Sequence, residues 1–418
     1  MKIVFVIGTS TGGVGTHVRA LARDVAAAGH EIGVIGPAST DEHFGFSDLP
    51  GVRFAPLDMG TGIGLGDAAL VTKLRRIIRS FGAEIVHAHG FRAGLVGLLA
   101  SRTLRPRPRF IISLHNQASG QGLRGRVETG IETLLAKGAD LTLGASTDLV
   151  VRAHDLGARD ARFLPAAAPE VRTVTAEAAQ ATRAQLAKEY GFDRSAVIVL
   201  AVGRVAPQKN YPMLVRALAH LGEDVSTGAK TDTSATTTGA PAATPVSDLV
   251  VLVAGAADEN VLADVRAQYE SAQHENAAQN ENAAQHENQG AASAVPELHF
   301  LGPRDDVAEL NAAADIYVLT SVWEARALVL QEALIAGRAI IATSTGGTTE
   351  LVGDAGILIE SDDDRGLADA ISELVSDPAR RVELGERARA RGAQLPGERE
   401  VAEELMGIYT ELLPPQVG

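Results

Sequence analysis

Glu324 and Glu332 are separated by seven intervening residues, in a segment that leaves a strand-like run and enters a helix. Ile316 to Leu319 form the run, apolar Leu330, Leu334 and Ile335 repeat behind it, and Gly337 offers a stop. In a parallel sheet, a loop feeding a helix N-terminus gathers free N–H groups, so acids there can hold sugar or ribose hydroxyls around an anion. The same two glutamates could equally be solvated on a surface helix. A second chemical constellation is Arg204 and Lys209, five residues apart where the apolar run Ala196–Val202 meets a turn. Arg chelates two oxygens and Lys supplies a mobile charge, a combination suited to a diphosphate. Three histidines end strand-like runs: His87 and His89 close Ile85–His89, and His115 closes Phe110–His115. Each is either a site residue or a packing histidine. Gly12 and Gly13 stand in an early turn where backbone approaches a bulky ligand closely.

The elements that position these residues read as two successive α/β halves. Lys2–Ile7, the glycine turn, a helix carrying Val14, Val18, Leu21 and Val25, and a strand after Gly29 make a strand–helix–strand unit. Its glycines do not match G-x-G-x-x-G, which excludes a dinucleotide fingerprint. A loop-rich stretch to Gly66 precedes a basic amphipathic helix, Ala68 to Phe81, with Lys73, Arg75, Arg76 and Arg79 beside Leu70, Leu74, Ile77 and Ile78. Such a helix either lies on an anionic membrane or presents a solvated face. Residues 1–170 form the first domain and 171–397 the second, with a final helix over 398–413 docking back on the first. Further strands are expected at 249–254, 298–302, 339–343 and 356–359. Two low-complexity insertions, 223–247 and 271–294, lack the apolar content to offset ordering entropy and are expected to be disordered. The His–Glu pairs in the second would bind a metal only weakly among so many Asn and Gln.

With 418 residues, 45% hydrophobic and 22% charged, the chain fits a soluble two-domain protein. It has no cysteine, which excludes disulfides and thiolate metal sites and fits a cytoplasmic location. The N-terminal apolar run is too short for a signal segment, and no stretch approaches the roughly 20 apolar residues of a membrane span. The net charge of −14 is uneven: residues 1–171 hold 19 Lys and Arg against 15 Asp and Glu, leaving −18 for the rest. That asymmetry is either chance or a basic half meeting an anionic partner such as the inner face of a membrane.

Taken together and in order, these motifs resemble the retaining GT-B glycosyltransferases of the family 4 type. The matches are Gly12-Gly13, His87-Ala88-His89, Ser113-Leu114-His115, Gly203-Arg204-x4-Lys209, Phe300-Leu301-Gly302, Glu324-x7-Glu332 and Thr345-Gly346-Gly347-x-x-Glu350. The resemblance implies an α/β fold of two Rossmann-like domains whose parallel sheets face a cleft. It implies a nucleotide-diphosphate sugar as donor, an acceptor it does not specify, and no cofactor. Arg204 and Lys209 would hold the diphosphate and stabilise the departing nucleotide, Glu332 the ribose, and Glu324 the transferred sugar. His115 would stand at the reacting centre, with Gly12 and Gly13 lining the donor and acceptor site. A metal is unnecessary where two cations do this work, and no DxD-like pair occupies a comparable turn; Asp362, Asp363 and Asp364 read as a solvated helix start. One departure stands out. Where the family carries a glycine-rich sequence after the first Glu, this chain has Ala325-Arg326-Ala327, followed by Leu328. Arg326 there offers a charge to a donor or acceptor anion. Two other readings of the fold are a non-catalytic nucleotide-sugar-binding protein and a nucleotide-sugar epimerase.

Overall fold

The computed structural model describes residues 1–10, 12–60, 67–117, 122–227, 249–285 and 294–413. Along the chain, strands and helices alternate, as crossover connections between parallel strands require. The first part runs β1 (Lys2–Ile7), α1 (Gly13–Ala27), β2 (Glu31–Gly36), α2 (Ala38–Phe44), β3 (Val52–Pro56), α3 (Asp67–Phe81) and β4 (Ile85–His89). It continues with α4 (Phe91–Arg102), β5 (Arg109–Leu114), α5 (Gly122–Gly138), β6 (Leu141–Gly144), α6 (Thr147–Asp155) and β7 (Ala161–Phe163). The second part runs α7 (Ala176–Tyr190), β8 (Val197–Val202), α8 (Tyr211–Thr227), β9 (Leu249–Ala254), α9 (Glu259–Gln285) and β10 (Glu297–Gly302). It closes with α10 (Val307–Ala313), β11 (Ile316–Leu319), α11 (Leu328–Ile335), β12 (Ala339–Thr343), α12 (Thr348–Val352), β13 (Gly356–Ile359), α13 (Asp364–Ser376), α14 (Pro378–Gly392) and α15 (Glu398–Leu412).

Two compact units result: Met1–Glu170 with Ala325–Leu328 and Pro396–Gly418, and Val171–Glu324 with Val329–Leu395. Unit 1 holds a seven-stranded sheet in the order β3-β2-β1-β4-β5-β6-β7, and unit 2 a six-stranded sheet in the order β10-β9-β8-β11-β12-β13. Every pairing is parallel. Strands covered on both faces need no polar alternation, which is why β1, β8 and β9 read as near-continuous apolar runs. In each sheet the winding reverses once, between β1 and β4 and between β8 and β11. At such switch points the loops beyond the strand C-termini splay apart and leave room for a ligand.

Unit 1 is completed by α15, which packs on α1 and buries Val401, Leu405 and Tyr409 in the core built around Phe5, Val18 and Leu21. Arg23 reaches Glu398 at 2.7 Å across the same contact.

Several expectations are corrected. The stretch before Gly66 is not merely loop, since it contains α2 and β3. The helices α4 and α5 were not foreseen, α4 because its Gly-rich, evenly apolar sequence leaves no polar stripe to reveal a period. Of the two readings of the helix over 68–81, the structure has the solvated face of an α/β layer: Leu70, Leu74 and Ile78 are buried, α3 packs on α4, and Lys73, Arg76 and Arg79 are exposed. The expected disorder of 271–294 fails for residues 271–285, which extend α9. Ala, Gln and Glu are strong helix formers, and Ser271–Glu275, Gln273–Tyr269 and Asn280–Asn276 bonds at i,i+4 spacing add to them. Asn276 is itself buried, beside Gly222 of α8, where an added methyl would come within 2.8 Å of its Nδ2. Residues 223–227 likewise continue α8, while 228–248 and 286–293 lie outside the described residues.

Candidate functional site

Both switch points carry the residues singled out above, and they do so with opposite chemistry. In unit 2, β8 ends at Val202 and the chain turns through Gly203 and Arg204 into the short 3-10 turn Pro207–Lys209. Lys209 folds back over Gly203 so closely that a side chain there would meet its Cε at 2.7 Å. Asn210 takes the left-handed conformation at φ 50°, tolerable for Asn, and so starts α8 at Tyr211 in a new direction. Arg204 is exposed and stands in no ion pair among the described residues.

The neighbouring loop after β11 meets this turn through backbone and side-chain bonds. Val322 N donates to Gln208 O at 2.9 Å, Gln208 Nε2 to Trp323 O at 3.0 Å, and Thr320 Oγ1 to Lys209 O at 2.7 Å. Glu324 is thereby held with one carboxylate oxygen 2.7 Å from Lys209 Nζ and 2.9 Å from Ser321 Oγ. A third loop, after β12, locks the arrangement. Gly347 N donates to Glu324 O at 2.8 Å, and Gly346 at φ 53° could carry no side chain, because a Cβ would stand 2.2 Å from that same oxygen. Glu332 lies on the second turn of α11, and burial pushes its carboxyl up to about 7. Tyr211 is buried, donates to Gly203 O at 3.2 Å, and is raised above the usual phenol range by burial and then by Glu324.

Arg204 and Lys209 thus follow β8 and Glu324 follows β11, the two strands of one switch point, while Glu332 lies further on, inside α11. The direct Lys209–Glu324 pair was not anticipated. It neutralises the ammonium in the free protein, so an anionic ligand must compete with Glu324 for it. Ser321, Thr320, Gln208 and Tyr211 were also missed. Their only signal in the sequence is adjacency to the charged residues they hold. Asp362 accepts from Asn210 Nδ2 at 3.0 Å, Asp363 caps α13, and Asp364 pairs with Arg216, so the acidic triplet serves the start of a helix.

In unit 1 the corresponding position is built from neutral groups. Gly12 caps α1 without a side chain, and Gly15 N donates to Ser10 Oγ at 3.1 Å. Gly13 leaves space for Leu328, whose Cδ1 would lie 3.3 Å from an added Cβ. His87 is fully buried between Tyr409 Oη at 2.6 Å and Ser113 Oγ at 2.7 Å. His89 Nδ1 and His115 Nε2 are 3.1 Å apart, with the two rings stacked. His17, unremarked in the sequence, meets the His115 ring edge-on at 5.6 Å. Burial lowers all four: His115 to about 4, His17 to about 3 with help from His115, and His87 and His89 well below the usual imidazole range. They are therefore neutral donors and acceptors near pH 7. His115 and His89 are brought together, and His87, its ring 4.3 Å from that of His89, ties β4 to β5 and α15.

The segment that departs from the glycine-rich pattern also belongs to unit 1. Ala325 and Ala327 are buried, Leu328 is half-buried, and the Arg326 guanidinium lies 6.0 Å from the centre of the Phe163 ring, within cation–π range. No helix among the described residues is long and apolar enough to cross a membrane.

Residues 182–391 match the family described as glycosyl transferases group 1, and residues 12–169 match a glycosyl transferase 4-like domain. The chain is 27% identical over 369 residues to the alpha-maltose-1-phosphate synthase of Mycolicibacterium smegmatis, covering 82% of this chain and 83% of that protein. It is 24% identical over 439 residues to the N-acetyl-alpha-D-glucosaminyl L-malate synthase of Bacillus anthracis, covering 99% and 97%. Among solved structures, Anabaena Alr3699/HepE in complex with UDP and glucose superposes with a TM-score of 0.73 at 17% identity, over 98% of this chain and 100% of that one. At that identity the likeness is one of fold, two domains each built on a parallel sheet.

Proposed function

The chain belongs to the glycosyl transferases group 1 family, is a transferase enzyme, and from that premise we propose that it moves a sugar from a nucleotide-diphosphate sugar to an acceptor hydroxyl, with retention at the anomeric carbon and without a metal ion. The observation that carries this reading is the Lys209–Glu324 pair at the switch point of unit 2, with Arg204 in the same loop as Lys209 and Glu332 on the helix that follows Glu324. Arg204 and Lys209 face the diphosphate, Glu332 takes the ribose hydroxyls, and Glu324 takes the transferred sugar. The backbone N–H groups of Ala325 to Leu328 line the donor, and Arg326 sets which donor or acceptor anion is accepted. When the bond from C1 to the diphosphate oxygen breaks, charge grows on that oxygen and fixed cations stabilise it without reorganising. The acceptor oxygen then bonds to C1 from the same face, and its proton passes to the departing phosphate oxygen. In unit 1, His115 is a neutral hydrogen-bonding group at the reacting centre, and the Gly12–Gly13 turn admits substrate to the backbone.

Support comes from the low basicity of the buried His115 imidazole, lowered to about 4, which suits orientation of a hydroxyl better than proton abstraction, and from the UDP and glucose in complex with the Anabaena protein. The exposed basic face of α3 makes electrostatic contact with an anionic membrane surface the candidate for any association with its inner face. The test is incubation with UDP-, GDP- and ADP-sugars in excess EDTA, followed by NMR of the product. Release of free nucleotide with an axial C1 substituent retained from donor to product supports the reading. An inverted anomer, an isomerised donor or dependence on added metal overturns it.

A further inference from the structure

Three imidazoles from different parts of unit 1 meet beyond the sheet: His17 on α1, His89 at the end of β4, and His115 immediately after β5. The backbone beneath them is fixed by the ladder, with His89 in register with Ser113 and Gly90 N donating to Ser113 O at 3.2 Å. The His89 ring is fixed in turn. Phe5 stands 5.7 Å from it and His87 4.3 Å between ring centres, and His17 meets it edge-on at 6.2 Å. His89 and His17 are 3% and 5% exposed, so of the three His115 is the one open to a ligand. Whatever His89 does to a substrate it does through His115.

His89 has a single hydrogen-bond contact, from Nδ1 to His115 Nε2 at 3.1 Å, while its Nε2 is buried without a partner among the described residues. Burial keeps both rings neutral near pH 7. A nitrogen–nitrogen hydrogen bond holds one proton and each neutral imidazole carries one, so the two tautomers are coupled. Either both rings are protonated at Nδ1, with His89 donating, or both at Nε2, with His115 donating. The second arrangement buries an N–H at His89 Nε2 with no oxygen or nitrogen to accept it, and orphaned donors are what folded proteins avoid most strictly. The first leaves a bare lone pair there, among aromatic rings whose positive C–H edges suit it better than they suit an N–H. His89 Nδ1–H therefore donates to His115 Nε2. The proton of His115 then stands on its own Nδ1, a nitrogen that bonds no group among the described residues.

We propose that His89 is a positioning residue that holds His115 in the Nδ1–H tautomer, so that His115 meets the substrate as a hydrogen-bond donor to an oxygen lone pair and not as an acceptor. This rests on the placement of His115 at the reacting centre. A ring that presents only an N–H leaves the hydroxyl it touches free to give its own hydrogen elsewhere, which sets the direction of that contact. It also discriminates, because an ammonium or amide N–H at the same place meets another N–H and is rejected.

Proton–nitrogen correlation NMR of the full chain, isotope-labelled at the histidine nitrogens and without any ligand at pH 7, tests this. The two rings are assigned by their loss in the His89→Asn and His115→Asn proteins. Wild type should show a pyrrole-type Nδ1 and a pyridine-type Nε2 at both His89 and His115. His89→Phe keeps a ring but no donor, and His115 should then shift toward the Nε2–H form. In His89→Asn the amide nitrogen stands where Nδ1 stood, and the wild-type pattern of His115 should return. With the sugar nucleotide turned over fastest in the incubation above, kcat should fall by about tenfold in His89→Phe, less than for outright loss of a donor, with KM nearly unchanged and with recovery in His89→Asn. A pyrrole-type Nε2 at His115 in the wild type, which needs no variant to fold, overturns the proposal. So does a His115 pattern that His89→Phe leaves unaltered, or a loss of kcat that His89→Asn does not restore. Wild-type turnover in His115→Ala would instead remove His115 from the reacting centre, an outcome the spectra do not depend on.

Discussion

The two switch points of this molecule solve the same geometric problem with opposite electrostatics. In unit 2 the loops after β8, β11 and β12 converge on charged groups that are already paired, Lys209 with Glu324. In unit 1 the ends of β4 and β5 converge on imidazoles that burial keeps uncharged. A charged site can stabilise charge that grows during a reaction, whereas a desolvated neutral one can orient hydroxyls without competing for the proton. Both halves keep their titratable groups largely out of water, and what separates them is that Lys209 and Glu324 are ion-paired while the imidazoles of unit 1 are kept neutral by burial.

The contrast is sharpest against pH. His17 and His115 have folded values of about 3 and about 4, below the free imidazole at about 6.5. Below pH 6.5 the unfolded chain binds protons that folded unit 1 refuses, so unit 1 loses stability as pH falls. Calorimetry from pH 7 to pH 4 should show a loss of roughly 5 kcal/mol in the transition containing unit 1, and His17→Gln should flatten it. A transition insensitive to pH over that range would remove the neutral-cluster description.

Next in size is the effect of charge on turnover. Lys209→Met should lower kcat/KM by about a thousandfold, roughly 4 kcal/mol, and Arg204→Met comparably. Glu324→Gln should split the parameters. Freed from its partner, Lys209 should hold the nucleoside diphosphate more tightly while kcat falls, and steady-state kinetics with that nucleotide as product inhibitor measures both.

Glu332 gives the opposite slope to the histidines. Its folded value of about 7 exceeds the usual 4.5, so folded unit 2 holds a proton that the unfolded chain has lost. Stability from this group is present below pH 4.5 and is lost as pH rises through 7. Glu332→Gln should therefore raise stability at pH 8 by about 2–3 kcal/mol while weakening nucleotide binding. An unchanged denaturation midpoint at pH 8 would mean that the carboxyl is solvated.

The smallest expected effect is His17→Leu. Its Nδ1 is buried without a hydrogen-bond partner among the described residues, so replacement by an apolar group of similar size should change stability by less than about 1 kcal/mol in urea unfolding. A larger loss would reveal a polar role like that of His87, whose two partners make His87→Leu costly.

Both sheets were legible because parallel strands covered on two faces, such as Val197–Val202, leave long apolar runs, and because Gly and charge punctuate their ends. The chemistry-bearing residues at those ends were legible for the same reason. What was not legible depends on distance in sequence. Lys209 and Glu324 are 115 residues apart, and their pairing follows only from β8 and β11 being neighbours in the sheet. His17 sits inside a helix period that gives no hint of its two ring contacts. Residues 271–285 misled because a polar composition low in aromatics resembles a disordered tract, while the same Ala, Gln and Glu residues favour helix once α8 offers a surface.

The return of α15 to unit 1 has a consequence for the order in which the chain is made. Synthesis runs from the N-terminal to the C-terminal side, so residues 171–395 emerge before Glu398–Leu412. Until then the apolar groove of α1 around Val18, Leu21 and Val25 lacks Val401, Leu405 and Tyr409, and His87 lacks its phenol partner. Of the two units, the one that leaves the ribosome first is thus the last that can close its core. A nascent chain halted before residue 398 presents that groove to chaperones and proteases, whereas unit 2 already contains its whole sheet.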